Sequence, residues 1–505
     1  MTINAFPDHI LLDIFDFCRV AAVKETNKWP GLWPKIWHML VHVCSRWRRV
    51  VFSSPVRLNL RLYCTDSTSV SEMLDAWPPF PIEVSCFNLT HHVVNALEHQ
   101  DRVCEVHLEL TSWVYKRVTA AAVMQKSFPA LTCLHLRSIF DSRSVLPDTF
   151  LGGSAPRLRS LTLMHIPFPT LPQFLASCND LSKLSLVNIP DLGYITPEAM
   201  FTGLSALTKL ETLDIIFESP GSLPRPYRET RRLPPLNPAV LPYLTYLCFR
   251  GVHEYLDDLL VRIDAPQLKT FTIQFFKQHI DMRQVISRLG MLGPFEHAEV
   301  NFNHLMTNMK LYQPAGTNRP QTVLELQVEY ESFRFGWQVS IMAQICTQSL
   351  SLLSSVTELN IRDDAACFRS LESLGIQSTD SEWLELFRPF TAVRTLRLSG
   401  QLQSLIVSWL RRLTVERVME VLPALENFYF RETADCESQQ QPLEVFFGHP
   451  ATPLSTSESE SSDGESSDEG LLDEDSSDEE LSDEEPSDEE SSDRESSGWE
   501  SSDQE

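Results

Sequence analysis

A six-residue rhythm, leucine-x-x-leucine-x-leucine, returns along this chain and limits its fold more than any other feature. It reads LTCLHL from 131, LRSLTL from 158, LSKLSL from 181, LETLDI from 210, LTYLCF from 244 and LKTFTI from 268. Weaker copies follow as VTELNI from 356, VRTLRL from 393 and LENFYF from 425. In each copy the second and third apolar residues stand two apart, the stride of a strand that buries one face, so each copy is expected to form one β-strand. Three buried leucine-type side chains contribute roughly 5 to 9 kcal/mol, whereas fixing about 25 backbone residues costs roughly 25 kcal/mol or more. One copy cannot stand alone. Neighbouring copies must share a continuous core, covered by apolar helices such as PEAMFTGLSAL from Pro197 to Leu207.

The starts of the first six copies are separated by 27, 23, 29, 34 and 24 residues. In motif and spacing the array resembles leucine-rich repeats, and the resemblance implies parallel strands stacked into a solenoid. Regular members carry Asn or Cys three positions after the last leucine, where it ties down backbone groups at the turn. Here Ile139, Ile166 and Ile189 take those places, so an irregular solenoid is expected over about 106–435, with 59–105 as connector and N-terminal cap. The expected fold class is α/β: an N-terminal helical module, the irregular array with parallel strands, and a disordered acidic tail.

The stretch 219–242, SPGSLPRPYRETRRLPPLNPAVLP, holds seven prolines and four arginines and interrupts the rhythm. It reads as a long surface loop, and as a sharper alternative Arg225, Arg228, Arg231 and Arg232 form a contact surface for an acidic partner. The formal charge of −26 is unevenly placed: residues 457–505 hold 23 Asp and Glu against Arg494 alone, leaving the rest of the chain at −4. With almost nothing to bury, that segment is expected to be disordered, joined through a linker at 436–456. Its 16 serines, many in SSDE or SDEE, resemble substrates of acid-directed kinases, and a solvated spacer is the alternative reading.

Enzyme signatures are sparse. None of the 17 glycines precedes a lysine, which removes the P-loop, and GGSAP at Gly152 lacks the closing glycine of a nucleophile elbow. His38 and His42 are spaced for zinc on a helix, but Met39 occupies the place of the catalytic Glu; His92 and His99 have no third ligand near in sequence, and Asp363 with Asp364 reads as a solvated loop. No catalytic residue, cofactor or metal is expected. Eleven cysteines, odd in number and never in C-x-x-C, fit reduced, buried thiols of an intracellular protein. The start MTINAFPDHILLDIF lacks a basic n-region, and no apolar run reaches membrane-span length, so a protein of the cytosol or nucleus without membrane contact is expected.

Residues 6–18 show a helical stride, with Ile10, Ile14 and Phe17 on one row and Leu11, Phe15 and Cys18 beside it. Pro7 suits the first turn and Asp8 the positive helix end. A second helix is expected from about Lys35 to Phe52, with Ile36, Leu40, Val43, Trp47 and Val50 recurring on one side and Ser53, Ser54 and Pro55 ending it. Arg46, Arg48 and Arg49 read as the polar terminus of that helix, since the body has no basic excess to neutralise phosphates; nucleic acid is not expected as a partner. Cys44 is expected to be buried on the apolar row.

Taken in order, FPDHILLDIF and VCSRWRRVVFSSP resemble the F-box over about residues 5–58. The matching positions are Phe6, Pro7, Asp8, Ile10, Leu11, Ile14, Phe15, Val43, Cys44 and Trp47; the middle is about a dozen residues longer than usual, as in an extended subset with Trp37, Leu40, Val41, Val43 and Cys44. The resemblance implies a helical module that binds the Skp adaptor of a cullin-RING ubiquitin ligase through Phe6, Pro7, Ile10, Leu11, Ile14, Phe15, Val43, Cys44 and Trp47. The repeats would then hold a protein substrate, and other subunits would carry out ubiquitin transfer. The alternative is an interaction scaffold with a degenerate F-box and no ligase role.

Overall fold

In the computed structural model the described residues are 6–25, 40, 42–53, 60–64, 69–76, 79–86, 92–110, 123–139, 145–219, 238–276, 285, 294–303, 306–314, 322–329, 335–363, 380–400, 402–413, 415–430 and 439–442. The arginines at 225, 228, 231 and 232, most of the linker and the whole acidic segment 457–505 lie outside them.

Two helices come first, α1 (Asp8–Glu25) and α2 (Ser45–Phe52). Then follow β1 (Leu60–Tyr63), α3 (Val70–Ala76), β2 (Ile82–Cys86), α4 (His92–Leu97), β3 (Val103–Leu110), β4 (Cys133–Ser138), β5 (Ser160–Met164), α5 (Leu171–Leu175), β6 (Lys183–Ile189), α6 (Pro197–Leu204), β7 (Thr212–Phe217), β8 (Ala239–Val240), β9 (Tyr246–Gly251), α7 (His253–Arg262), β10 (Ile263–Asp264) and β11 (Thr270–Phe275). The remainder is β12 (His297–Phe302), β13 (Met306–Tyr312), β14 (Thr322–Glu329), α8 (Phe335–Gln348), α9 (Leu350–Leu353), β15 (Glu358–Asp363), α10 (Asp380–Phe387), β16 (Thr395–Ser399), α11 (Leu402–Arg412), α12 (Val415–Val421), β17 (Asn427–Phe430) and β18 (Gln439–Pro442). Among the described residues no helix is long and apolar enough to cross a membrane.

The chain is a mixed α/β protein built on one large, mostly parallel sheet of sixteen strands among the described residues. All nine copies of the leucine rhythm overlap a strand of this sheet. The alternation does what its period requires: Leu134 and Leu136, Leu161 and Leu163, Leu213 and Ile215, Leu396 and Leu398 are buried in one continuous core. The first apolar residue of each copy lies just before its strand and is buried as well, as at Leu131, Leu158, Leu181 and Leu210, save Leu268, which is half-buried.

The same backbone bond recurs from repeat to repeat. One carbonyl accepts two successive N–H groups of the next copy: Thr132 O from Arg159 and Ser160, Arg159 O from Ser182 and Lys183, Ser182 O from Glu211 and Thr212, Glu211 O from Thr245 and Tyr246. Backbone groups outside the strand ladder are thereby paired, as burial demands. Strands β1 and β2 extend the ladder into 59–105, the stretch read as connector and cap.

Next to two of the three irregular positions, just past β5 and within the end of β6, one residue takes left-handed backbone. His165 and Asn188 have φ of 54° and 52°, and the side-chain nitrogens of the two residues meet at 3.0 Å. This breaks the two-residue alternation, so Ile166 and Ile189, one position on, turn into the core. Ile139 does not: it is exposed.

The parallel order fails in the middle. Between the copies starting at 268 and 356 the chain forms β12, β13 and β14, a meander with β13 antiparallel to both neighbours. It enters the sheet in reverse, β14 beside β11 and β12 beside β15, and both outer joints are parallel. Helix α8 then carries the chain from β14 to β15. The two-N–H bond restarts from Glu296, whose carbonyl accepts from Thr357 and Glu358, so β12 stands in for the missing copy. At the other end β18 adds an antiparallel edge to β17.

Asp363, read as part of a solvated loop, closes β15 and accepts the Leu402 N–H at 2.7 Å at the start of α11. Helix α6 follows expectation, with Thr196 as N-cap accepting from Ala199 N–H and Pro197 in its first turn.

Candidate functional site

Helix α1 begins one residue after Pro7, whose carbonyl accepts the Leu11 N–H at 3.1 Å. The second expected helix is broken. Cys44 has extended backbone (φ −160°, ψ 168°) and caps α2, its Sγ accepting the Trp47 N–H at 3.4 Å. Cys44 is therefore half-buried at a helix start, a correction to its reading as a core residue within one long helix. The break also moves Arg46. It belongs to the first turn of α2, where it donates to Asp8 Oδ1 at 2.7 Å and to the Phe6 carbonyl at 2.6 Å, tying down the entry to α1. Arg49 alone of the three arginines stands in the last turn.

The two apolar rows of α1 part company. Leu11 and Phe15 turn inward and meet Trp47, Val50 and Val51 of α2 in a small separate core, with the Phe15 and Trp47 rings 4.8 Å apart. Ile10 and Ile14 stay half-buried, Phe6 and Pro7 are exposed, Phe17 is 74% exposed and Val43 58% exposed. Of the nine residues expected to meet an adaptor, then, Leu11, Phe15 and Trp47 serve the pair's own interior; the other six lie at or near its surface. Phe17 joins the outer row, as its helical stride from Ile10 and Ile14 already signalled. The pair touches the sheet region through Phe52, whose ring lies 6.4 Å from that of Phe80.

The sheet face opposite the leucines is polar, and its charges are largely matched across strands: Arg250 with Glu329 at 2.9 Å, Lys310 with Glu325 at 3.2 Å, Arg362 with Glu299 at 2.6 Å. Its N-terminal end differs. Glu105, His107 and Cys133 bring one ligand-type atom each within 4.8 Å of one another. Glu83 on β2 is buried, with Oε1 3.9 Å from His107 Nε2, and Glu105 Oε2 lies 3.6 Å from the same nitrogen. Burial disfavours the imidazolium of His107, yet Cys133, Glu105 and Glu83 outweigh it and hold the ring's pKa up at about 10. His135 stacks beside it with centroids 6.0 Å apart; burial and the charge of His107 push its pKa down. Spacing arguments missed this group because only Glu105 and His107 are near in sequence; Glu83 and Cys133 stand 22 and 28 positions from Glu105 and meet it only across adjacent strands.

No protein-family model matches the chain, and no curated protein matches it in sequence.

The eight cysteines whose side chains are described are thiols; Cys64, Cys86, Cys104, Cys178 and Cys346 are buried, while Cys44, Cys133 and Cys248 are half-buried.

Proposed function

We propose that this protein is the substrate-recognition subunit of a cullin-RING ubiquitin ligase of the SCF type, its N-terminal helix pair binding the Skp adaptor and its repeat region holding a protein target. The observation that carries the reading is the exposure of the apolar side chains Phe6, Phe17 and Val43 after the pair has closed its own core, alongside the half-buried Ile10 and Ile14. An apolar surface of this kind, on helices stapled in place by Arg46 and Asp8, is suited to burial against a partner. The function is non-catalytic: holding the target beside a charged conjugating enzyme raises the effective concentration of its lysines. This reading places the protein in the cytosol or nucleus. In it the repeat region is an irregular leucine-rich array, and the matched polar face of its sheet offers a surface for the target.

The test is co-purification of the full chain with a Skp-type adaptor. Phe17→Asp and Val43→Asp alter exposed positions and leave the small core intact. Both variants should fold normally and lose the adaptor; an intact wild-type chain that retains no adaptor overturns the reading. A second reading, a scaffold whose degenerate F-box binds no adaptor, is favoured by the burial of Leu11, Phe15 and Trp47 within the pair itself. Retention of the adaptor by wild type and its loss in both variants would exclude that scaffold.

A further inference from the structure

We propose that Glu105, His107 and Cys133 form a binding site for a divalent transition metal, best matched by zinc, on the polar face of the sheet where β2, β3 and β4 adjoin. The ligand set is one carboxylate, one imidazole and one thiol, the donor types zinc takes, and a thiolate together with an imidazole disfavours the hard cations calcium and magnesium.

Register explains how these residues meet. Glu83, Glu105 and Cys133 are direct neighbours across β2, β3 and β4, and His107 lies two residues beyond Glu105 on the same face. Parallel neighbours are about 4.8 Å apart, a spacing that side chains of this length can close around one ion. In a tetrahedral zinc site, bond lengths near 2.0 to 2.3 Å set neighbouring donor atoms about 3.5 Å apart. The Glu105 carboxylate is already 3.6 Å from His107 Nε2, and the set as a whole spans at most 4.8 Å, so a modest side-chain movement completes it.

A second, independent feature sits at the same place. The β2–β3 ladder shifts register between Ile82 and Glu83, with Cys104 as the extra residue. Bulges are rare in parallel pairs and serve to re-aim side chains beside functional sites. Here the shift sets Glu83 opposite Glu105, and the buried Glu83 carboxylate reaches His107 from the third strand. Glu83 faces the same His107 Nε2 as Glu105 does, so it is placed to complete the ligand shell from the third strand. All the donors ride on a hydrogen-bonded ladder, which holds them in position before any ion arrives.

The test is titration of the reduced full-length chain with Co(II), whose bond to a thiolate gives an intense charge-transfer band in the near ultraviolet. One equivalent of Co(II) should produce that band, and Zn(II) should abolish it by displacement. Cys133→Ser should remove the band, and His107→Gln, Glu105→Gln and Glu83→Gln should each weaken binding roughly tenfold or more. Cys248→Ser, a half-buried thiol elsewhere on this face, should leave the titration unchanged. Unaltered far-ultraviolet circular dichroism of each variant without metal separates loss of the site from loss of the fold. Absence of a band with wild-type protein, or a band that survives Cys133→Ser, overturns the proposal. A rise in Tm with zinc that is seen in wild type and lost in Cys133→Ser provides an independent readout.

Discussion

The N-terminal helix pair and the sheet behind it meet the same demand for burial with very different means. The pair closes five side chains into its own small core and leaves an apolar row outside; the sheet gathers its leucines, the helices that cover them and the meander into one continuous interior, and the opposite face is polar with its charges paired. The difference follows from length. A stacked array gains burial with every added strand, whereas two helices expose more apolar surface than they can cover for each other. Under the proposed function, the contrast assigns the adaptor to the helix pair and the target to the polar sheet face.

The largest effects should separate the two cores. Phe249, buried against Tyr255 and Phe217, belongs to the large core, and Phe249→Ala should cost about 3–5 kcal/mol in urea denaturation of the sheet. Trp47→Ala empties the small core instead. Hydrogen exchange should then accelerate across α1 and α2 while sheet amides keep their protection; matching losses in both regions would show that the two cores unfold as one.

Next in size is the corner between β16 and α11, where Asp363 at the end of β15 meets it. Gly400 has φ of +87°, and a Cβ there would run into the Asp363 carboxylate that caps the helix, so Gly400→Ala should cost about 1–3 kcal/mol. Asp363→Ala, which removes the cap without straining the backbone, should cost about 0.5–2 kcal/mol by the same denaturation measurement. If Asp363→Ala matched or exceeded Gly400→Ala, backbone strain at Gly400 would not be the controlling factor.

In the helix pair the corresponding tie is weaker. The Arg46–Asp8 contact is partly exposed, so Arg46→Ala should lower stability by less than about 1 kcal/mol, with an effect that fades in high salt. A large, salt-independent loss would mean that the bond to the Phe6 carbonyl matters more than charge.

The smallest perturbation leaves stability untouched. Under limiting alkylation at neutral pH, Cys44 in the pair should react before Cys64 and Cys104 of the sheet. Burial pushes the pKa of those two thiols up to about 12, so almost no thiolate is present. Peptide mass spectrometry would read the order, and early labelling of Cys64 would reveal opening at the N-terminal edge of the sheet.

Much of the architecture was legible locally. Alternating leucines name their own strands, because a period of two fixes which side chains share a face whatever lies next to them, and the stride over 6–18 announces a helix with two apolar rows. The break at Cys44 was not legible, since the apolar spacing around it is compatible with one continuous helix. Nor was the meander, whose three strands carry no leucine rhythm.

What the sequence alone determined is the nine strands of the leucine rhythm, the inward face of each and the need for neighbouring copies to stack. Tertiary structure alone decided which apolar row of α1 meets α2, how β12 to β14 enter the sheet in reverse, and that Glu105, His107 and Cys133 share one place. The physical reason is range: periodicity acts over a few residues, whereas choosing between two equivalent rows, or joining groups 28 positions apart, depends on the register that whole elements adopt when they pack.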